Sequence, residues 1–353
     1  MFEDLLRGWD GEEVVIRYDA PSGGWFMVAV HSTVLGPAMG GTRLKSYATP
    51  EDALRDALRL SGAMSYKQAM AGLPYGGGKA VLAMPEVPAP GSAERREMLL
   101  RYAGVLEALH GTYVTAADMN TGEHDMDVLG ERTAHVLGRS PSHGGAGDPA
   151  TGTAIGVFHG IVASCRQAFG SADLAGRTVL IQGAGAVGDR LAGHLAEAGA
   201  SLLVADVHPE RASSTAARVG GVTVPAEAVI GTGCDVYAPC ATGAVLSQET
   251  VGRLACRVVA GAANNQLATA ADGARVRAAG ILYAPDYVVN AGGVIWLAGY
   301  ETLGWDEAMM HARLAGIGVT LEQVFATADA SGVTTAEAAD RVARERIAAG
   351  VAR

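Results

Sequence analysis

The chain has 353 residues, 49% hydrophobic and 18% charged, with 48 glycines, 5% aromatic residues and a net charge of −10. Such a length exceeds one comfortable core and predicts two domains, and the glycine-rich, aromatic-poor composition suits an α/β enzyme rather than a repeat or disordered protein. The acidic balance argues against nucleic acid or an anionic membrane as partner.

No basic run or apolar stretch of membrane-spanning length stands out, and residues 1–10 do not read as a secretory signal. The four cysteines, Cys165, Cys234, Cys240 and Cys256, lack CxxC spacing. They read as small buried hydrophobes in a reducing cytoplasm, and no metal site is expected.

In chain order, "EEVVIRYD" and "WFMVAVHST" read as strands joined across the turn "APSGG". Thr49 is placed to cap a helix, with Pro50 in its first position and Glu51 and Asp52 at the positive end of the dipole. Ala53, Leu54, Ala57 and Leu58 give that helix an apolar face. It should run to about Met70, with Lys67 near its C-terminal end.

"GLPYGGG" then reads as a turn, and the strand "KAVLAM" begins at Lys79. Consecutive glycines cost conformational entropy, so the run implies positive φ or a close approach of backbone to a ligand. A second helix over about 94–110 stops at Gly111 and leads into "TYVTAADM". The glycine, proline and serine cluster "GRSPSHGGAGDPATG", residues 138–152, is the expected domain boundary and hinge. Beyond it, helices alternate with the runs "TVLIQ", "LLVAD", "CDVYAPC", "CRVVAGAANN" and "GILYAPDYVVNAGG", which implies a mostly parallel sheet covered on both faces. From about Ala308 the chain reads as helical.

"VLIQGAGAVGDRL" places Gly183, Gly185 and Gly188 in GxGxxG spacing between a strand and a helix that opens at Ala186 and Val187. The first glycine permits the turn, the second lets backbone approach a pyrophosphate, and the third lets helix pack on strand. Asp206 ends the next strand, 18 residues past Gly188, where a carboxylate can bond a ribose 2′-hydroxyl. It would repel a 2′-phosphate, and no arginine follows directly, so NAD is expected rather than NADP. A phosphate loop of the GxxxxGK[ST] kind at Lys79 fails twice, with Leu73 at the first glycine and Ala80 at the hydroxyl position. Lys67, Lys79 and Asp118 each sit beside a turn or an element end in the other half of the chain. His31, His124, His143 and His208 lack ligand spacing and read as surface or satisfied core histidines.

"GPAMGGTR", "MSYKQAMAGLPYGGGKA", "TAADMNT", "GAANN" and "DYVVNAGG" together resemble the glutamate/leucine/phenylalanine/valine dehydrogenases, across essentially the whole chain. "GWDGEE", "ADMNTGEHDMD" and "ETLGWDE" are most similar to the phenylalanine dehydrogenases of actinobacteria. The resemblance implies an α/β fold of two domains with the active site in the cleft between them. One is a mixed-sheet substrate-binding and oligomerisation domain, 1–145 with 320–353 returning to it; the other is a Rossmann-type doubly wound NAD domain, 146–319. A cytoplasmic homo-oligomer is implied.

By motif position, Lys67 would bind the substrate carboxylate with the Gly40 and Gly41 backbone. Lys79 would be the general base that activates water, and Asp118 would pass protons to and from the amino group. Lys67 would also be the second cation that eases deprotonation of Lys79. Thr153 and Asn290 would hold the nicotinamide carboxamide, with Asn264 beside the cofactor and Asn265 beside the substrate. The implied reaction converts an L-amino acid to its 2-oxo acid and ammonia. Met39, Ala116, Val294 and Leu297 would line an apolar side-chain pocket that leaves a glutamate carboxylate without a partner. L-Phenylalanine is the first expectation, with leucine, valine and tryptophan as rivals.

Overall fold

A short helix, α1 (Phe2–Arg7), precedes β1 (Glu13–Asp19) and β2 (Gly24–Ser32), which pair antiparallel across a turn closed by Gly23. The structure is a computed structural model and describes residues 2–351. β3 (Ala38–Lys45), α2 (Pro50–Ala71), β4 (Gly76–Ala83), α3 (Ala93–Glu107), β5 (Tyr113–Ala117) and α4 (Glu123–Leu129) follow. The five strands form one mixed sheet in the order β1-β2-β4-β3-β5, with β3 parallel to both of its neighbours.

Strand alternation divides the side chains between two cores. Phe26, Val28, Ala80 and Leu82 pack with Met98, Leu99 and Tyr102 of α3. Met27, Ala29, Val81 and Ala83 pack with Ala53, Leu54, Ala57 and Leu58 of α2. The α2 helix begins as its sequence requires, Thr49 Oγ1 accepting the Asp52 N–H at 3.1 Å, and ends at Gly72 in the left-handed region, φ +65°.

The expected turn at "GLPYGGG" is only half right. Gly76, Gly77 and Gly78 lie inside β4 and none has positive φ. What excludes side chains there is the protein's own packing. A Cβ on Gly76 would fall 1.8 Å from Ser32 O, one on Gly77 2.0 Å from Ser65 N of α2, and one on Gly78 2.7 Å from the Tyr113 ring. The glycines let a helix and neighbouring strands close tightly on the segment that carries Lys79. β3, unrecognised in the sequence, meets the same strand: a Cβ on Gly40 would lie 1.8 Å from Gly78 O.

The later elements are α5 (Ala150–Phe169), β6 (Thr178–Gln182), α6 (Ala186–Glu197), β7 (Ser201–Ala205), α7 (Pro209–Val219), β8 (Val222–Thr223), β9 (Val236–Pro239) and β10 (Val258–Val259). Then come α8 (Ala270–Ala278), β11 (Leu282–Tyr283), α9 (Asp286–Val289), α10 (Gly292–Glu301), α11 (Glu307–Ser331) and α12 (Thr335–Val351). The second sheet is parallel throughout, in the order β11-β10-β9-β6-β7-β8. Strand order reverses between β6 and β9, the switch point where open α/β sheets bind nucleotides.

Two compact units result. Among the described residues, the first comprises 2–148, Leu297–Gly304 and 343–351; the second comprises Pro149–Trp296 and Trp305–Val342. The expected return of 320–353 to the first unit is thus confined to the last turns of α12, while Leu297–Gly304 joins it as well. The reason is that α11 packs along α5, with Ile317 against Gly156 and Leu321 against Gly160, and this contact keeps it in the second unit. Among the described residues, no helix is long and apolar enough to cross a membrane, and no group of three or more His, Cys, Asp or Glu could hold a metal ion.

Candidate active site

In the first unit, Lys79 lies on β4 opposite Ala29 of β2, on the face toward α2. It is 5% exposed, and its Nζ lies 3.0 Å from Asp118 Oδ2. Asp118 immediately follows β5, in a turn that β3 holds from the side. Its N–H donates to Thr121 Oγ1 at 2.9 Å, Thr121 Oγ1 donates to Thr42 O at 2.8 Å, and Asn120 Nδ2 donates to Leu44 O at 3.0 Å. Asn120 takes the left-handed conformation, φ +60°, which asparagine tolerates better than most residues. The "DMNT" segment is therefore a built turn that fixes one carboxylate.

The two charges alter one another. Burial lowers the pKa of Lys79, Asp118 opposes that, and the Arg43 guanidinium lowers it further. Burial alone would raise Asp118, but Lys79 and Arg43 together hold its carboxyl below the usual range. The sequence reading gave the part of second cation to Lys67 and overlooked Arg43. The available signal was strand alternation in "GGTR", which puts Arg43 on the face of Gly41.

Lys67 is half-buried in the last turns of α2, a favourable end for a cation. Two carbonyls of that helix end, Ala69 O and Met70 O, accept from Arg346 Nη1 at 3.2 and 3.0 Å. Gly40 and Gly41 are buried on β3, the Gly40 carbonyl accepting from the Tyr113 hydroxyl at 2.6 Å. Met39 (2% exposed), Ala116 (9%) and Leu297 (6%) are buried, and Val294 is half-buried.

In the second unit, Gly183 has φ +103° and its N–H donates to Ala205 O at 2.7 Å. A Cβ on Gly188 would lie 1.8 Å from Gly183 O, so this glycine is needed for helix α6 to pack on the loop. A Cβ on Gly185 would meet no atom within 4 Å, which leaves open the space before the helix N-terminus at Ala186 and Val187, where a phosphate is favoured. Asp206 ties the loop to the end of β7: its Oδ2 accepts the Ala184 N–H at 2.7 Å and its Oδ1 the His208 N–H at 2.8 Å. Beside it is a cavity of about 360 Å³ lined by Asp206, Val207, Pro209, Thr223 and Pro225 among others.

Asn290 is 5% exposed, and its Nδ2 donates to Asn264 Oδ1 at 2.7 Å and Ala262 O at 3.1 Å. Its Oδ1 is buried with no hydrogen-bond partner, an orphaned acceptor that an amide N–H₂ would satisfy. Thr153 Oγ1 donates to Pro149 O at 3.0 Å, in the first turn of α5. A close backbone approach, where a Cβ on Gly292 would fall 2.0 Å from Gly152 O, brings that turn against the start of α10. Asn265 is exposed with φ +53°. The glycine loop, the ribose-side carboxylate and the orphaned amide acceptor fit a nicotinamide dinucleotide.

A six-stranded parallel sheet with this loop at its switch point, and a separate unit presenting a buried lysine paired with a half-buried aspartate, define a nicotinamide-dependent oxidoreductase. Residues 24–135 match the family model "Glu/Leu/Phe/Val dehydrogenase, dimerisation domain", and residues 207–352 match "Glutamate/Leucine/Phenylalanine/Valine dehydrogenase". The chain is 41% identical to a leucine dehydrogenase of Thermoactinomyces intermedius over 98% of its own length and 93% of the relative's. It is 45% identical to a valine dehydrogenase of Streptomyces virginiae over 95% and 93%. Its structure is similar to that of an L-tryptophan dehydrogenase from Nostoc punctiforme, with a TM-score of 0.86, 36% identity and complete coverage of both chains.

The chain belongs to the glutamate/leucine/phenylalanine/valine dehydrogenase family. It is an NAD-dependent amino acid dehydrogenase acting on the CH–NH₂ group.

Proposed function

We propose that the chain catalyses the reversible oxidative deamination of an apolar L-amino acid to its 2-oxo acid and ammonia, with leucine or valine as the preferred substrate. The observation that carries the reaction is the buried Lys79 amine 3.0 Å from the half-buried Asp118 carboxylate. The apolar preference is supported by Met39, Ala116 and Leu297, all buried, which would leave a side-chain carboxylate unpaired. The aliphatic choice is favoured over phenylalanine by the leucine and valine dehydrogenases among the relatives. The tryptophan dehydrogenase similarity supports an aromatic second reading.

In this reading the substrate carboxylate binds Lys67 and the Gly40–Gly41 backbone. Asp118 takes a proton from the substrate ammonium, leaving a free amine. Bound NAD supplies the acceptor for the hydride that leaves Cα. Lys79, whose pKa burial lowers, takes a proton from water in its neutral form as the water oxygen adds to the imino carbon. As the C–N bond breaks, Asp118 returns its proton to nitrogen and the remaining hydroxyl proton passes to solvent, so ammonia departs and the 2-oxo acid remains. Gly183, Gly185, Gly188 and Asp206 would hold the pyrophosphate and ribose; Thr153, Asn264 and Asn290 would hold the carboxamide, with Asn265 near the substrate.

The match of residues 24–135 to a dimerisation domain supports a homo-oligomer. Four unpaired cysteines are consistent with a cytoplasmic setting.

The test is NADH formation with leucine, valine, phenylalanine, tryptophan and glutamate, compared as kcat/KM. An apolar pocket separates neighbours by only about 1–3 kcal/mol per methylene, so cross-activity is expected, with an aliphatic substrate first. A phenylalanine or tryptophan winner sinks the aliphatic choice, and a glutamate winner sinks the pocket.

A further inference from the structure

Arg43 stands on β3 in register with Val81 of β4, and therefore on the same sheet face as Lys79. Its Nε donates to Asp118 Oδ2 at 2.8 Å, the oxygen that Lys79 Nζ approaches at 3.0 Å. Its Nη1 donates to Asp56 Oδ2 of α2 at 2.9 Å. Asp56 is held in turn by the Tyr47 hydroxyl at 2.8 Å and by Arg59 Nη2 at 3.0 Å. The guanidinium thus bridges a carboxylate on a helix and a carboxylate at a strand end. Both cations therefore meet the same carboxylate oxygen, Asp118 Oδ2.

We propose that Arg43 is a positioning residue for the deamination: with Lys79 it occupies Asp118 Oδ2, leaving Oδ1 to exchange protons with the substrate amino group, and it supplies a fixed positive charge beside Lys79. The inference rests on the roles proposed above for Lys79 and Asp118. A guanidinium suits the task because it stays charged at every working pH and its planar fork fixes the direction of each bond. An exposed lysine could supply charge but not that geometry.

Charge exchange separates this role from a merely structural one. Arg43 disfavours the protonated form of Lys79, whereas Asp56 favours it. The other ionisable groups on the packed elements are Glu51, Asp52, Arg55, Arg59, Tyr66 and Lys67 of α2, Lys45 of β3 and Tyr47 after it, Tyr113 of β5, and His31 of β2, whose ring bonds Ser65 at 2.8 Å and Asp10 at 3.0 Å. All of these persist in each variant below.

The experiment is the pH profile of kcat/KM for amino acid oxidation, whose acidic limb reports deprotonation of the base in the free enzyme. Arg43→Gln should move that limb up by about one pH unit, as expected for loss of a neighbouring like charge. Arg43→Lys should return the limb toward the wild-type position while kcat stays low, because charge is restored without the fork. Asp56→Asn should move the limb down. Folding damage has no reason to shift the two limbs in opposite directions.

An unmoved limb in Arg43→Gln, shifts of the same sign in Arg43→Gln and Asp56→Asn, or an Arg43→Lys limb that coincides with that of Arg43→Gln would each overturn the proposal. Should Arg43→Gln fail to fold, Arg43→Lys decides: a limb near the wild-type position with kcat reduced supports the proposal, and a wild-type kcat refutes it. Lys79→Ala, assayed alongside, separates the two layers. Near-normal turnover there removes the proposed chemistry itself, while an inactive Lys79→Ala with unmoved limbs removes only the part given to Arg43.

Discussion

Lys79 Nζ and Asp118 Oδ2 lie 3.0 Å apart, the lysine within β4 and the aspartate just past β5, with β3 between their strands. Both side chains are largely withdrawn from water, at 6% and 24% exposure. In that setting a lysine gives up its proton more readily than in solution, and a carboxylate stays charged only through its cationic neighbours.

Lys79→Ala should therefore lose turnover by at least ~10²–10⁴-fold, the usual contribution of a general base. NAD binding should persist, because the glycine loop belongs to the other unit. Steady-state rates and NADH fluorescence titration check both parts, and a variant with near-normal kcat would remove Lys79 from the chemistry.

Asp19 and Arg101 make a second test, of stability rather than activity. Arg101 Nε and Nη2 donate to the two Asp19 oxygens at 2.7 and 2.8 Å, and this pairing, against burial, holds the carboxyl below its ordinary value of 3.8. A carboxylate with a depressed pKa stabilises the fold fully above that ordinary value, and the contribution fades as pH falls through the lower folded-state value. Asp19→Asn should cost about 1–2 kcal/mol at pH 7, allowing for the partly open arginine. The gap from wild type should narrow on acidification below the ordinary value. Urea unfolding at several pH values measures this, and a gap independent of pH would contradict it.

Cofactor choice can be turned at Asp206. Asp206→Ala combined with Val207→Arg should raise the NADP-to-NAD ratio of kcat/KM by on the order of tenfold or more, since a like charge is removed and a phosphate partner added. Val207 is 79% exposed and accommodates the longer side chain. Some activity with NAD should be lost as well, because Asp206 also holds the Ala184 N–H of the loop. Wild-type protein using both cofactors equally would show that Asp206 does not discriminate.

Two glycine substitutions should differ sharply. Gly72→Ala is strained only by its φ of +65°, since a Cβ there meets nothing within 4 Å, and should cost about 1 kcal/mol. Gly40→Ala would drive a Cβ to 1.8 Å from Gly78 O and should cost about 1–3 kcal/mol or more through overpacking. Thermal unfolding of the two variants gives the comparison, and equal losses would mean that β3 and β4 can separate freely.

Much of this was legible in the sequence because the signals are local. Thr49 and Pro50 start α2 through contacts within one turn, and Gly183, Gly185 and Gly188 act within a single strand-to-helix connection. Asp206 closes that same loop from the end of the next strand. β3 escaped notice because "AMGGTR" has a single β-branched residue, Thr42, and lacks the alternation of an ordinary strand; its glycines answer to Gly78 and Asp118, distant in sequence. For the same reason "GGG" reads as a turn in one dimension and is a strand in three, since only the approach of Ser32, Ser65 and Tyr113 forbids side chains there. Residue types and local spacing could nominate Lys79 and Asp118 but not the charge that stands beside them. Arg43 became their partner only when parallel pairing of β3 with β4 and β5 set a guanidinium, an amine and a carboxylate side by side, because electrostatic coupling depends on distance through space and not on position along the chain.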